Sequence, residues 1–196
     1  KNAKLFILFV TKNGMLKKSN LSEYNIKRSG SAKALTLDEG DEIVSVLFVN
    51  SEKIGLLSAG GNFLITTTSD IRPIGRTTKG IKGMKLNEED YVISAHIIPE
   101  DTISIMSVSG EGNAKQTKIS EFATQGKNTK GARLQKVMSE DWMADFKPIV
   151  NETEVSIAST SSTLKIKVNE VAMLSRGTQG SRAIKMGVKD NAIVII

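Results

Sequence analysis

The chain has 196 residues, of which 39% are hydrophobic, 24% charged and 5% aromatic, and it contains no cysteine. This composition can bury a hydrophobic core, and it excludes a disordered chain, disulfide bonds and thiolate metal sites. No apolar run approaches the roughly 18 residues needed to cross a bilayer. Lys and Arg number 27 against 21 Asp and Glu, a net charge of +6 that permits a nucleic-acid partner without requiring one. We expect a soluble, cytosolic, mildly basic protein.

The predicted elements are β-strands throughout, and they follow one order four times. Residues 5–10 and 15–18 form a predicted hairpin across Asn13-Gly14, a loop rich in Gly and Lys follows, and residues 43–49 form the closing strand. The later hairpins and closing strands are predicted at 54–58, 63–67 and 91–98, at 103–108, 114–119 and 142–150, and at 155–158, 164–168 and 192–196. No window of about 11 residues has helical periodicity, so only 22–24 and 120–122 could form single helical turns.

The loops show the repeat most clearly. Residues 74–86 have counterparts at 27–37, 125–137 and 175–186, and each copy is followed by an Asp at the same offset: Asp41, Asp90, Asp141 and Asp190. We take Asn13, Asn62, Asn113 and Ser162 as equivalent turn residues. The acidic clusters at 38–42, 87–90 and 139–141 are interpreted as solvated turns that would keep an anionic partner on another edge.

Four copies of about 49 residues with roughly four strands each are typical of a radial blade architecture. One such sheet exposes a face that it cannot bury alone, so neighbouring sheets must pack together. We predict a single all-β, propeller-like domain over residues 1–196, with blades at approximately 4–50, 51–99, 100–150 and 151–196. The alternative, an ordinary β-sandwich, is disfavoured by the regularity of the repeat.

Basic residues recur at fixed offsets in the loops. At two of these offsets, all four copies have Lys or Arg. Because equivalent positions of a repeat lie at equivalent places around a ring, these offsets predict a curved basic stripe along one rim. Lys and Arg there would neutralise phosphates, and the neighbouring glycines Gly30, Gly80, Gly131 and Gly180 would let backbone N–H groups approach them. The predicted DNA-binding residues are Lys27, Arg28, Lys33, Arg76, Lys79, Lys82, Lys85, Lys127, Lys130, Arg133, Lys136, Arg176, Arg182 and Lys185.

The loops contain no aromatic residue on which single-stranded bases could stack, and no recognition helix is visible. The stripe therefore favours duplex DNA, bound and bent without sequence specificity. Two alternatives remain: a solvated rim without a partner, and a propeller that binds proteins through its face or channel. An enzyme is third, because no nucleophile, base or metal constellation is present. His96, the only histidine, is interpreted as a core or edge imidazole, and Trp142 as a core residue.

Two segments resemble a known family. Residues 10–18, which lead into Leu21-Ser22-Glu23-Tyr24, resemble the first blade of the C-terminal domain of bacterial type II topoisomerase A subunits. Residues 75–86, followed by Glu89-Asp90, are similar to the blade motif Gly-Arg…Gly-Val-(Lys/Arg)-Gly-Ile…Leu…Asp of that family. The resemblance covers the whole chain and is strongest in the first two repeats. It implies a β-pinwheel whose blades exchange strands and which bends DNA on a basic rim.

The resemblance also implies a larger enzyme. The intact protein would belong to an ATP-dependent type II DNA topoisomerase, and its partners would be duplex DNA, the rest of the A subunit, plus the ATPase B subunit, with no membrane. ATP and Mg²⁺ would serve that enzyme, and we expect no cofactor and no catalytic residue in these 196 residues. Tyr24 and Tyr91 are not candidates for the catalytic tyrosine. The expected location is the cytoplasm, at the nucleoid.

Two members of the family compete. Gyrase A subunits carry the box Gln-(Lys/Arg)-Arg-Gly-Gly-(Lys/Arg)-Gly in the first blade. Residues 27–33 here keep Lys27, Arg28 and Gly30 but lack the Gln and the second Gly. This departure favours the topoisomerase IV A subunit, and the gyrase A subunit is the alternative. Discs of this family usually have five or six blades, so four repeats indicate a shortened domain or a piece of one.

Overall fold

The computed structural model describes residues 5–25, 33–184 and 191–196, which form β-strands and four short 3₁₀ turns. The 3₁₀ turns are Leu21–Tyr24, Thr68–Asp70, Ile119–Glu121 and Val168–Glu170. The strands are β1 (Phe6–Thr11), β2 (Met15–Asn20), β3 (Ile43–Val49), β4 (Lys53–Ser58), β5 (Asn62–Thr67), β6 (Ile81–Lys82), β7 (Val92–Ile98), β8 (Ser104–Ser109), β9 (Asn113–Lys118), β10 (Ala132–Arg133), β11 (Met143–Ile149), β12 (Glu154–Ser159), β13 (Thr163–Lys167), β14 (Ser181–Arg182) and β15 (Ala192–Ile195). The predicted all-β class is confirmed, and the predicted strands agree within about two residues at each end.

The strands form four antiparallel sheets, and neighbouring repeats exchange strands. The sheet orders are β3-β1-β2-β6, β7-β4-β5-β10, β11-β8-β9-β14 and β15-β12-β13. In the first three sheets the outermost strand therefore comes from the following repeat. Each of these strands is only two residues long and pairs with the beginning of the hairpin's second strand. The propeller-like pinwheel with exchanged strands is confirmed.

The core lies between the sheets. Alternate residues of β1 point to opposite faces, so that Leu8 and Val10 pack towards the second sheet while Ile7 and Phe9 pack against Leu35. Two further clusters join the second sheet to the third and the third to the fourth. The strands β3, β7, β11 and β15 contact one another in succession and form the inner side of the four-sheet array. Successive core layers of this kind exclude the β-sandwich.

The Asp that recurs after each loop holds a hairpin turn. Its side-chain oxygen accepts a hydrogen bond from a turn amide in three blades: Asp41 from Asn13 at 2.9 Å, Asp90 from Gly60 at 2.9 Å and Asp141 from Glu111 at 3.1 Å. The interpretation of the acidic clusters as solvated turns is thus wrong for these three residues, although Glu39, Glu88 and Glu140 are exposed. Asp190 lies outside the described residues.

The same contacts correct the predicted alignment of the turns. The turn glycines Gly14, Gly61 and Gly112 share left-handed φ values of 77°, 87° and 82°. Asn13 precedes its glycine, whereas Asn62 and Asn113 follow theirs. Asn13 is therefore equivalent to Gly60 and Glu111, and its predicted equivalence to Asn62 and Asn113 is wrong. Either order of Asn and Gly makes a tight turn, so composition alone did not reveal the shift.

Candidate nucleic-acid interface

The exchanged strands place basic residues on the outer edge of three successive sheets. Lys82, Arg133 and Arg182 are the second residues of β6, β10 and β14, and all three are exposed. The loop before each strand carries the other recurring basic residue: Arg76, Lys127 or Arg176. We call these three loops, residues 75–80, 126–131 and 175–180, the rim loops. The topology brings both sets of residues to the same side of each sheet.

A threonine closes each rim loop. The hydroxyl of Thr78 donates to the carbonyl of Gly75 at 2.7 Å, that of Thr129 to Gly126 at 3.0 Å and that of Thr178 to Ser175 at 2.8 Å. These side-chain bonds to a backbone carbonyl three residues earlier stabilise a turn. The basic residue lies between the two partners of this bond. In two of the loops the backbone amide of the threonine, Thr78 or Thr178, also donates to the same carbonyl, at 3.2 and 3.4 Å.

Backbone hydrogen bonds join each rim loop to the segment that follows the preceding one. The amides of Thr36, Lys85 and Lys136 donate to the carbonyls of Thr78, Thr129 and Thr178 at 3.3, 2.9 and 3.0 Å. These three donors occupy equivalent positions in three successive repeats, 49 and 51 residues apart. The rim is therefore continuous from one blade to the next, and Lys85 and Lys136 lie beside the neighbouring loop.

The glycines of the rim loops have a role in the packing of the sheets. A Cβ atom on Gly80, Gly131 or Gly180 would lie 2.8, 2.1 or 2.7 Å from the carbonyl oxygen of Leu16, Phe63 or Ala114. Those carbonyls belong to the sheet that receives the exchanged strand. Glycine is needed here because the backbone passes close to that sheet.

Four of the basic side chains on the rim have partners within the protein. Lys79 forms an ion pair with Asp38, and Lys130 Nζ lies 2.6 Å from Asn87 Oδ1. Arg76 Nη1 donates to the carbonyl of Lys33 at 3.0 Å, and Lys127 Nζ to that of Asp70 at 3.2 Å. In the described part of the chain, seven exposed basic side chains on the rim have no hydrogen bond or ion pair: Lys33, Lys82, Lys85, Arg133, Lys136, Arg176 and Arg182. Lys27, Arg28 and Lys185 lie outside the described residues.

Two buried lysines beneath the rim loops were not predicted from the sequence. Lys17 in β2 is 1% exposed, and its Nζ donates to the carbonyls of Ala34, at 2.9 Å, and Arg76. Lys115 in β9 is fully buried, and its Nζ donates to the carbonyl of Ser175 at 2.7 Å and the hydroxyl of Thr178 at 3.2 Å. Burial lowers the pKa of Lys17, and it lowers that of Lys115 to about 8.

Two glutamates hold the same two loops from the 3₁₀ turns. Glu23 Oε2 accepts the amide of Arg76 at 2.8 Å, and Glu121 Oε2 accepts that of Arg176 at 2.8 Å. Hydrogen bonds from the Asn20 side chain and the Arg76 amide lower the pKa of Glu23. The carboxylates therefore bind the loop backbone and not the guanidinium groups, and that of Arg176 has no partner among the described residues.

His96 lies on an inner strand, and Trp142 lines a cavity with Arg133 of the rim. His96 Nε2 is 3.0 Å from Oδ1 of the buried Asp145, whose Oδ2 accepts the amide of Ile195 at 3.0 Å. This pair joins three inner strands and agrees with the interpretation of His96 as an edge imidazole. Trp142 is 36% exposed and covers Gly110, so the prediction of a core tryptophan is wrong.

Within the described ranges, no three His, Cys, Asp or Glu side chains are grouped to hold a metal, and no helix is long and apolar enough to cross a membrane.

The repeat pattern matches a known family. The family model described as DNA gyrase C-terminal domain, beta-propeller, matches residues 6–50, 56–99, 104–141 and 162–195. The chain is 33% identical over 195 residues to the A subunit of DNA gyrase from Mycolicibacterium smegmatis (strain ATCC 700084 / mc(2)155), an alignment that covers 97% of this chain and 23% of that protein. The chain thus spans about a quarter of the length of this curated relative.

Solved structures share the fold. The chain superposes on a crystal structure of the C-terminal domain of DNA topoisomerase IV with a TM-score of 0.91 at 24% identity, covering 100% of this chain and 62% of that one. It superposes on a structure of the DNA gyrase A C-terminal domain with a TM-score of 0.88 at 20% identity, covering 99% and 66%. The family model covers well over half of the residues, and the chain therefore belongs to the DNA gyrase C-terminal domain family, the β-propeller domains of type II topoisomerase A subunits.

Proposed function

We propose that this domain binds duplex DNA on its basic rim, without sequence specificity, and bends it. The observation that carries the proposal is the continuous arc of exposed cations, which repeats from blade to blade on the exchanged strands and the rim loops. Lys and Arg at fixed intervals suit a phosphate backbone, whose charges also recur at a fixed interval. The three rim loops contain no aromatic residue, and the described part of the chain contains no recognition helix, which supports binding without sequence specificity.

The curvature of the rim supports bending rather than simple attachment. A duplex that follows three successive sheets must leave a straight path, and bending 20–30 base pairs by 40–90° costs on the order of 1–6 kcal/mol. One rim loop supplies too few contacts to offset that cost. Several blades must therefore bind the same duplex, which the backbone hydrogen bonds between the loops favour because they keep the contact points in a fixed relation.

Within a larger enzyme, the domain would present bent DNA to the cleavage core of a type II topoisomerase. The names of the relatives support this role. The partners would be the ATPase B subunit together with the rest of the A subunit, and the ATP and Mg²⁺ of the reaction would bind outside these residues. The choice of topoisomerase IV over gyrase stays a prediction. It depends on residues 27–33, of which only Lys33 is described.

The test is a titration of labelled duplexes of about 20 and about 60 base pairs, with dyes at both ends to report bending. If eight phosphates are contacted, log affinity falls with log salt at a slope of about −7, or roughly 10⁴-fold between about 50 and 200 mM. We expect the ends of the longer duplex to approach each other as the protein binds. Weak binding that does not change with salt would contradict the proposal and favour a propeller that binds proteins.

A further inference from the structure

The rim loops are supported in two different ways. Lys17 and Lys115 follow Leu16 and Ala114, which pair with the exchanged strands of the first and third sheets. The second sheet has the apolar Leu64 at this position, after Phe63. The loops of Arg76 and Arg176 thus rest on a buried ammonium group, and the loop of Lys127 has no such group.

The fold itself does not need a lysine at this position. Leu64 is fully buried and packs in the core between the first two sheets, and the second sheet receives its exchanged strand as the others do. A buried ammonium group loses its hydration, which is why burial lowers the pKa of Lys17 and Lys115. Replacement of buried charges by apolar groups of similar volume is often neutral or stabilising. Compared with leucine, the two lysines therefore carry a desolvation cost that lowers the free energy of unfolding.

The hydrogen bonds of the two ammonium groups show which part of the molecule benefits from the buried lysines. Lys17 Nζ binds the carbonyl of Arg76 itself and that of Ala34, which follows Lys33. Lys115 Nζ binds Ser175, the residue before Arg176. Each ammonium group thus binds the backbone at or beside a basic rim residue. Its positive charge lies close beneath the surface that the DNA would approach.

We propose that Lys17 and Lys115 are positioning residues that fix the loops of Arg76 and Arg176 in their DNA-binding arrangement before DNA arrives. This inference rests on the proposed DNA binding of the rim. Because each loop backbone is already held by its lysine and glutamate, less conformational freedom is lost when the arginine meets a phosphate. The loop of Lys127 has no ammonium group beneath it and is held instead by the Asn128 amide, which donates to the Gly83 carbonyl.

The neighbouring lysine provides a matched control. Lys18 lies in the same strand, is 4% exposed and also donates from Nζ to a carbonyl, that of Thr68 at 2.7 Å. Thr68 belongs to a 3₁₀ turn and not to a rim loop. Lys17→Leu and Lys18→Leu remove the same charge from the same strand. We expect Lys17→Leu to weaken binding of an about 60-base-pair duplex roughly 2- to 12-fold more than Lys18→Leu, the range for ordering one long side chain.

A double-mutant cycle distinguishes positioning from a general structural role. If Lys115 acts through Arg176, Lys115→Leu weakens DNA binding in the wild-type chain but not in the Arg176→Gln chain. Thermal unfolding of each variant shows whether the fold is retained, and we expect no loss of stability for Lys115→Leu. Additive effects in the cycle, or equal effects of Lys17→Leu and Lys18→Leu, would overturn the inference while the DNA binding of the rim stands. Weak binding by the wild-type chain that does not change with salt would overturn both.

Discussion

The carboxylate of Asp90 holds the amide of Gly60, thirty residues earlier in the chain, at 2.9 Å. The same Oδ1 accepts the amide of Tyr91 at 2.9 Å, and Oδ2 accepts the hydroxyl of Ser58 at 2.8 Å. One side chain thus joins the hairpin turn of a blade to the start of its inner strand. This arrangement explains why an Asp recurs at a fixed distance after each loop.

Asp90→Ala should lower the free energy of unfolding by about 1.5–3 kcal/mol, the value of hydrogen bonds to a charged group. Glu88→Ala, two residues earlier at an exposed position, is the control and should change it by less than about 0.5 kcal/mol. Urea unfolding followed by circular dichroism measures both. Equal stabilities for the two variants would show that the turn does not depend on the carboxylate.

Gly131→Ala should destabilise the chain, because the residue has a φ of +72° and its Cβ would lie 2.1 Å from the Phe63 carbonyl oxygen. The left-handed backbone and the overpacking together cost about 2–5 kcal/mol. Gly126 lies in the same rim loop, and a Cβ placed on it would have no atom within 4 Å, so Gly126→Ala is the matched control. Its stability should change by less than about 1 kcal/mol. The midpoints of thermal unfolding compare the two, and a tolerated Gly131→Ala would argue against the close approach of β10 to its neighbour.

Charge reversal on the rim should act cumulatively. Arg76→Glu with Lys82→Glu changes one loop and its strand and should reduce the salt slope of DNA binding by about 2, whereas adding Arg176→Glu and Arg182→Glu should reduce it by about 4. Binding should weaken much more in the second protein than in the first, because several blades share the cost of bending. A mobility-shift assay at low salt measures the affinities.

The control for charge reversal changes two lysines on other parts of the sheets. Lys53→Glu with Lys118→Glu gives the same net charge as the variant with one altered loop, and both lysines are exposed. This control should bind DNA more tightly than the rim variant. Equal affinities for the wild-type chain and both rim variants would count against the rim as the DNA-binding surface.

The stability of the chain should depend on the protonation of Lys115. Burial lowers its pKa from 10.5 to about 8 in the folded chain, against an opposing effect of Glu121. Between those two values the unfolded chain binds a proton that the folded chain does not, so this group adds to the free energy of unfolding as the pH rises. Relative to Lys115→Leu, the wild-type chain should gain stability from about pH 8 to about pH 10.5. Urea unfolding of both proteins at several pH values measures the difference, and a difference that stays constant would contradict the lowered pKa.

The sequence predicts the strands well because their apolar residues alternate and their turns contain glycine. It also places the basic residues at common offsets, which the structure brings to one rim. The exchange of strands was predicted only from the family resemblance, because a two-residue strand such as β6 is too short to show a periodic pattern of apolar residues. Lys17 and Lys115 were missed because lysine in a strand ordinarily points to solvent. For Lys17 the signal was the pair Lys17-Lys18, because successive residues of a strand point to opposite faces, and one of the two lysines must therefore enter each layer of a strand buried on both faces.

The exchanged strands have a consequence for how such domains change in size. Each complete repeat gives one short strand to the sheet before it and receives one from the repeat after it. If a whole repeat is inserted in register, every existing sheet therefore keeps its full number of strands. Partial insertions or deletions leave one sheet without its outer strand. Gain or loss of whole blades is therefore the change that the architecture tolerates, and the length of the basic arc would change with it in equal steps.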